Sequence, residues 1–187
     1  MHSQNPFQNN YNFNQLMNAV PELEALVVPG KFARKSIDFS DPEAVYLLNK
    51  ALLKWRFNVN WSLKKGHLCP AVPGRFDYLL HARDLLPKIE ARRVRMLDVG
   101  AGASLIYPLL ATVAFNWECV GSEVDKEAIS YAKGLVRMNA NMMGTRIRRQ
   151  EFKSQLLQGI IEKKETFDLL VCNPPFYKTK SEALAAN

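Results

Sequence analysis

Residues 93–104, Arg-Val-Arg-Met-Leu-Asp-Val-Gly-Ala-Gly-Ala-Ser, constrain the fold of this chain more than any other stretch. Val94, Met96, Leu97 and Val99 make a buried-strand pattern, and Gly100 and Gly102 follow as a turn that lets backbone approach a ligand closely. Strand, glycine turn and helix together form a nucleotide-type site. Leu105 stands where the third glycine of a dinucleotide fingerprint belongs, and Asp98 just before the turn is unsuited to a pyrophosphate. A carboxylate there suits a ligand that carries an ammonium group. The next strand, Trp117 to Val124, contains Gly121-Ser122-Glu123, about 20 residues beyond the turn, where an acid binds ribose hydroxyls.

The pattern continues as an α/β, Rossmann-like unit over residues 91–187, with strands at 93–99, 117–123, 145–150 and 167–172 and a helix expected in each crossover. Right-handed crossovers lay these strands parallel in the order 3-2-1-4. That order brings Gly100 and Asn173 to the carboxyl ends of neighbouring strands. Residues 1–90 read as a helical extension and a candidate RNA-binding region. Within it, Asp41 and Pro42 start a helix whose core stripe is Ala44, Val45, Leu48, Ala51, Leu52 and Trp55, and Gly74 to Leu86 form another. Two short amphipathic stretches precede them, near 13–20 and 21–28. The polar first ten residues are expected to be mobile until bound.

Residues 172–177, Cys-Asn-Pro-Pro-Phe-Tyr, close the last strand. The exocyclic nitrogen of adenine is a poor nucleophile because its lone pair is delocalised into the ring. The side-chain carbonyl of Asn173 and the backbone carbonyl of Pro174 can accept both amino hydrogens and turn that lone pair toward an incoming methyl group, without a strong general base. Two prolines fix φ and supply no N–H, which holds those carbonyls in one geometry. Phe176, with Tyr177 behind it, offers a ring face for an unstacked base. S-adenosylmethionine, with an ammonium, a sulfonium and no phosphate, matches Asp98 and the glycine turn.

Composition agrees with a polyanionic partner, since the 187 residues carry a net charge of +7. Lys31, Arg34 and Lys35, Lys64 and Lys65, and Lys178 and Lys180 are candidates for phosphate contacts, whereas Arg146, Arg148 and Arg149 alternate along a strand and cannot all face one way. Cys69, Cys119 and Cys172 lack metal-ligand spacing and are expected to pack as small apolar residues in a reducing, cytoplasmic compartment. No metal, membrane span or secretory signal is expected. Oligomeric state stays open.

Asp98-Val-Gly-Ala-Gly-Ala, Ser122-Glu-Val-Asp and Asn173-Pro-Pro-Phe resemble motifs I, II and IV of class I methyltransferases. Leu68-Cys-Pro-Ala-Val-Pro-Gly-Arg75 and Ile106-Tyr-Pro-Leu109 narrow the resemblance to the bacterial large-subunit ribosomal RNA adenine N6-methyltransferases and their eukaryotic relatives acting on structured small nuclear RNA and mRNA hairpins. It runs from about residue 36 to the end. The resemblance implies transfer of a methyl group from S-adenosylmethionine to adenine N6 in a structured RNA, 23S ribosomal RNA first. It also implies donor contacts from Arg75 to the carboxylate, Asp98, Gly100 and Gly102 to the methionine end, Glu123 to the ribose, and Ser154 or Gln155 to the adenine. Asn173, Pro174 and Phe176 become catalytic, Asn173 also touches the donor, and Phe176, Tyr177 and Lys178 meet the substrate.

A complete class I sheet has seven strands and four are visible here, so the chain is expected to be a fragment lacking the last third of the family's length, with poor turnover on its own. Other readings are a nicotinamide dehydrogenase, opposed by the missing glycine, methylation of DNA or of protein glutamine, and donor or RNA binding without turnover.

Overall fold

The computed structural model describes residues 1–30, 34–64, 67–88, 91–152 and 154–174. Its centre is a parallel sheet of β3 (Arg95–Val99), β4 (Glu118–Glu123), β5 (Thr145–Arg149) and β6 (Leu169–Cys172), in the spatial order β5-β4-β3-β6. This is the predicted 3-2-1-4 arrangement. Asp98 lies opposite Gly121 on one side and Val171 on the other, and Val99 opposite Cys172, so the glycine turn and Asn173 leave the same edge of the sheet.

Helices α4 (Ile106–Phe115) and α5 (Lys126–Arg137) make the first two crossovers. Asp125 caps α5 by accepting from the backbone N–H groups of Glu127 (2.7 Å) and Ala128 (2.8 Å). The third crossover departs from expectation. Among the described residues between β5 and β6 there are turns and no helix, with Gly159 at φ 77° and Lys164 at φ 66°. Both are left-handed conformations that interrupt helical hydrogen bonding. The segment is instead held by charge. Arg148 of β5 donates through Nη2 to Glu165 Oε1 (3.0 Å), and Arg95 of β3 donates to the same oxygen (2.7 Å). The Glu165 side chain is only 7 % exposed, and the hydrogen bond from Arg148 leads the causes that hold its carboxyl at about 2. Its stabilising contribution is therefore present above the ordinary carboxylate pKa and lost as pH falls toward 2. Glu165→Gln leaves two guanidiniums facing a neutral amide and is expected to cost about 3 kcal/mol in a denaturant titration at pH 7.

The extension contains α1 (Phe13–Ala19), a 3-10 helix over Pro21–Leu26, an antiparallel pair β1 (Val27–Pro29) and β2 (Lys35–Ile37), α2 (Pro42–Phe57) and α3 (Val72–Asp84). The small sheet was not anticipated, because strands of three residues carry too little alternation to be recognised. Asp41 caps α2 as expected, accepting from Glu43 N at 2.9 Å. Ala44, Leu48, Ala51 and Leu52 are buried, but Trp55, in the last turn, reaches past the core and is 39 % exposed.

The first residues are likewise not the mobile arm that their polarity suggests. Asn5 and Phe7 are 1 % and 2 % exposed. Phe7 packs edge-on against Phe57 and Phe76 with ring centroids 6.1 Å away in each case. Asn5 Nδ2 donates to Pro73 O (3.1 Å) and Asp77 Oδ1 (3.0 Å), so one aromatic anchor and one satisfied amide hold the segment on α3. Cys119 is buried and Cys69 half-buried as expected, whereas Cys172 is exposed on the edge strand.

Extension and sheet share one hydrophobic core that runs from Phe7 and Leu16 through Leu52 and Leu79 to Met96, Leu109 and Val171. Leu97 faces the other way, joining Val120 and Ile160 in a second, smaller cluster. Asp98, two residues from Met96, thus lies on the face that the extension covers.

Candidate active site

Gly100 and Gly102 adopt φ 76° and 63°, the left-handed conformations that the glycine turn requires. The backbone N–H groups of Gly100 and Ala101 both donate to Ser122 O, at 3.0 and 2.9 Å, which bends the chain over the end of β4. Leu105, also left-handed at φ 51°, opens α4 and is fully buried, filling the place of the absent glycine with core packing. The glycine that permits this is Gly121. A Cβ there would lie 2.9 Å from Ala101 Cβ and 3.1 Å from Leu105 Cδ1. Gly121→Ala is expected to push the turn off the sheet and cost about 2 kcal/mol by chemical denaturation.

The turn forms one wall of a cleft of about 210 Å³ lined by Arg75, Asp98, Gly100, Gly102, Tyr107 and Asn173, with Leu63, His67, Leu68 and Pro70 of the extension opposite. Asp98 is 2 % exposed, and no hydrogen bond from the described residues ends on its carboxylate. Burial, then the charge of Glu123, push it up to about 7, with the Arg75 guanidinium acting in the opposite direction. A carboxylate that is expensive to ionise and open to a cleft is built for a cation.

Arg75 reaches the same cleft from the first turn of α3. That helix has no side-chain cap of its own; Asn49 of α2, 4 % exposed, accepts from Val72 N at 2.8 Å through Oδ1 and donates to Val45 O at 2.8 Å. Arg75 Nη1 then donates to Tyr107 OH (2.9 Å) and to Asn173 Oδ1 (3.1 Å), while its Cζ sits 5.6 Å from the Tyr107 ring centroid. A fixed guanidinium beside a buried carboxylate matches the zwitterion of an α-amino acid, and the volume suits the methionine end of S-adenosylmethionine.

The structure therefore brings together Arg75, Asp98, Gly100, Gly102 and Asn173, five of the sequence-predicted residues. Glu123 lies outside this lining and ties the turn from behind: Oε2 accepts from Gly102 N (3.0 Å), and Oε1 from Val124 N (2.6 Å) and Asp125 N (3.0 Å). Oε1 is filled by its two backbone donors, whereas Oε2 keeps a second lone pair for a ligand hydroxyl. Ser154 is exposed on a turn and Gln155 half-buried, and neither lines the cleft. Pro174 follows Asn173 as an exposed residue; Phe176, Tyr177, Lys178 and Lys180 lie outside the described residues, as do Lys31 and Lys65.

Tyr107 and Asn49 had no assigned role in sequence. The signals available were weak: a lone tyrosine in an apolar helix and a lone asparagine inside a core stripe. Of the basic clusters, Lys35 Nζ donates to Asn14 Oδ1 (2.8 Å), Lys64 pairs with Glu127 across α5, and Arg148 is committed to Glu165. Among the described residues, no helix is long and apolar enough to cross a membrane, and no group of His, Cys, Asp and Glu could hold a metal ion.

A family model described as RNA methyltransferase matches residues 1–187. The chain is 40 % identical over 195 residues to ribosomal RNA large subunit methyltransferase F of Photobacterium profundum, covering 100 % of this chain and 58 % of that protein. It is 42 % identical over 195 residues to the protein of the same name from Shewanella pealeana, covering 98 % of this chain and 51 % of the relative. The chain thus spans only 51–58 % of the length of these relatives. Among solved structures, the N-terminal domain of human METTL16 in complex with SAH matches with a TM-score of 0.84 at 30 % identity, over 97 % of this chain and 72 % of that one. The human METTL16 catalytic domain in complex with a MAT2A 3′UTR hairpin matches with a TM-score of 0.85 at 31 % identity, over 100 % and 63 % of the two chains.

Proposed function

Because the chain belongs to the RNA methyltransferase family, we propose that the full-length protein transfers a methyl group from S-adenosylmethionine to the N6 amino group of an adenosine in large-subunit ribosomal RNA. The observation that carries this reading is the pairing of Asp98 and Arg75 in one cleft, with Asn173 at its rim. Asp98 would take the ammonium and Arg75 the carboxylate of the donor's amino-acid end, and the Gly100–Gly102 turn would let the donor lie against backbone. When bound, the donor supplies an electrophilic methyl carbon on a sulfonium. Asn173 Oδ1 and Pro174 O accept the two amino hydrogens of the adenine, which points the nitrogen lone pair at that carbon. Attack on that carbon would release the donor as its thioether, and the surplus proton on the nitrogen would pass to water.

Support for a structured RNA comes from the extension. The cleft shares Leu63, His67 and Leu68 with a second cavity of about 760 Å³, and that cavity shares Phe39 with a third of about 550 Å³ lined by Asn9, Asn10, Asn12, Asn14, Arg34 and Lys35. Exposed aromatic surface, amide groups and cations along one track suit unstacked nucleotides beside the target. The ribosomal assignment follows the names of the bacterial relatives, and cytoplasmic action follows from that substrate.

The test is incubation of the full-length protein and labelled donor with unmodified large-subunit rRNA, matched RNA hairpins and DNA, followed by nucleoside analysis and mapping. A single N6-methyladenosine in the rRNA is expected. Label in DNA alone, or in no nucleic acid, would overturn the reading.

A further inference from the structure

Arg75 has more to do than the donor carboxylate requires. Its Nη1 carries two hydrogens, and both are committed, one to Tyr107 OH at 2.9 Å and one to Asn173 Oδ1 at 3.1 Å. None of the hydrogen bonds among the described residues uses Nε–H or the two Nη2 hydrogens, which leaves three donors in a fork for an anion. The side chain is anchored against rotation by the Tyr107 ring beneath it, and that ring is itself buried and packed on Tyr78 at 5.4 Å.

A consequence concerns the amide of Asn173. An asparagine amide can point its oxygen or its NH2 group in a given direction, and only the oxygen accepts a hydrogen from an adenine amino group. A guanidinium has donors and no acceptor, so the side of Asn173 that faces Arg75 must be Oδ1. One lone pair of that oxygen is then taken by Arg75 and the second remains for the acceptor. Turned the other way, the amide would set N–H against N–H both at Arg75 and at the substrate.

We infer that Arg75 and Tyr107 form a positioning pair that sets the amide orientation of Asn173, so that the guanidinium which would hold the donor also prepares the group that grips the acceptor. This rests on the methyl-transfer reading above. Tyr107 is a positioning residue, acting on Asn173 through Arg75.

The experiment is steady-state methylation of unmodified large-subunit rRNA by the full-length protein, with both donor and RNA varied. Tyr107→Phe keeps the ring and removes only the hydroxyl; kcat at saturating donor is expected to fall about 5- to 10-fold while donor KM changes less than about 3-fold. Arg75→Lys, a second probe if the phenylalanine variant folds poorly, should lose at least about 30-fold in kcat even at saturating donor. The decisive arm is an Asn173→Asp background. A carboxylate presents two equivalent oxygens and has no orientation to set, so adding Tyr107→Phe should leave the residual kcat unchanged. Full recovery of kcat at saturating donor in both variants, or the same Tyr107→Phe loss in the Asn173→Asp background, would overturn the inference while leaving methyl transfer intact. Absence of methylation by the unaltered protein would instead remove the functional reading on which it stands.

Discussion

Asp98→Asn is expected to weaken donor binding by at least about 100-fold and at the same time to stabilise the ligand-free fold. The first follows from removing the negative charge that lines the cleft, the second from burial, which pushes the Asp98 carboxyl up to about 7 against an ordinary value of 3.8. Between those values the folded chain binds more protons at this group than the unfolded chain does, so its contribution to stability declines as pH rises from about 4 to 7 and then levels off. The full shift corresponds to an upper bound of about 4 kcal/mol, and removal of the charge by asparagine should return about 2 kcal/mol at pH 8. A cationic ligand favours the ionised form. Affinity for S-adenosylhomocysteine, whose ammonium is retained, should therefore rise with pH toward a plateau above 7 in the unaltered protein and be low and flat in the variant. Calorimetric titrations and urea unfolding at pH 6 and 8 measure the two arms. A variant that is both less stable and normal in affinity would refute the role of Asp98 as a cation site.

Asn173→Ala carries the other large effect, a fall in kcat of about 1,000-fold or more with donor affinity within a few-fold of normal. Alanine removes the acceptor oxygen that would orient the adenine amino group, an interaction strengthened as the nitrogen attacks, so the loss belongs to the chemical step. Arg75 loses one of its two Nη1 partners but keeps Tyr107 and its free fork. Single-turnover methylation at saturating donor and RNA separates these quantities. Unchanged turnover would sink the catalytic assignment of Asn173.

Much of this was legible along the chain because the relevant signals are local. The strand-turn-helix at 93–110, the acid at Glu123 and the Asn173-Pro174 turn each occupy one short window, and right-handed crossovers convert window order into strand order. Where reading failed, a distant partner had overridden local character. The polar N-terminus docks because Phe7 finds Phe57 and Phe76, and because Asn5 finds Asp77. The segment after β5 forgoes a helix because Glu165 is captured by Arg148 and Arg95 from two strands.

By itself the sequence determined the sheet order and which edge of the sheet carries the cleft, since periodicity, glycine φ and crossover handedness act over a few residues at a time. Tertiary structure decided that the extension is a wall of the cleft, that burial beneath it lifts the Asp98 carboxyl toward neutrality, and that Arg75 spans from Tyr107 to Asn173. Those are consequences of which surfaces meet. Desolvation and hydrogen-bond geometry belong to the packed assembly, and no window of the chain contains both partners.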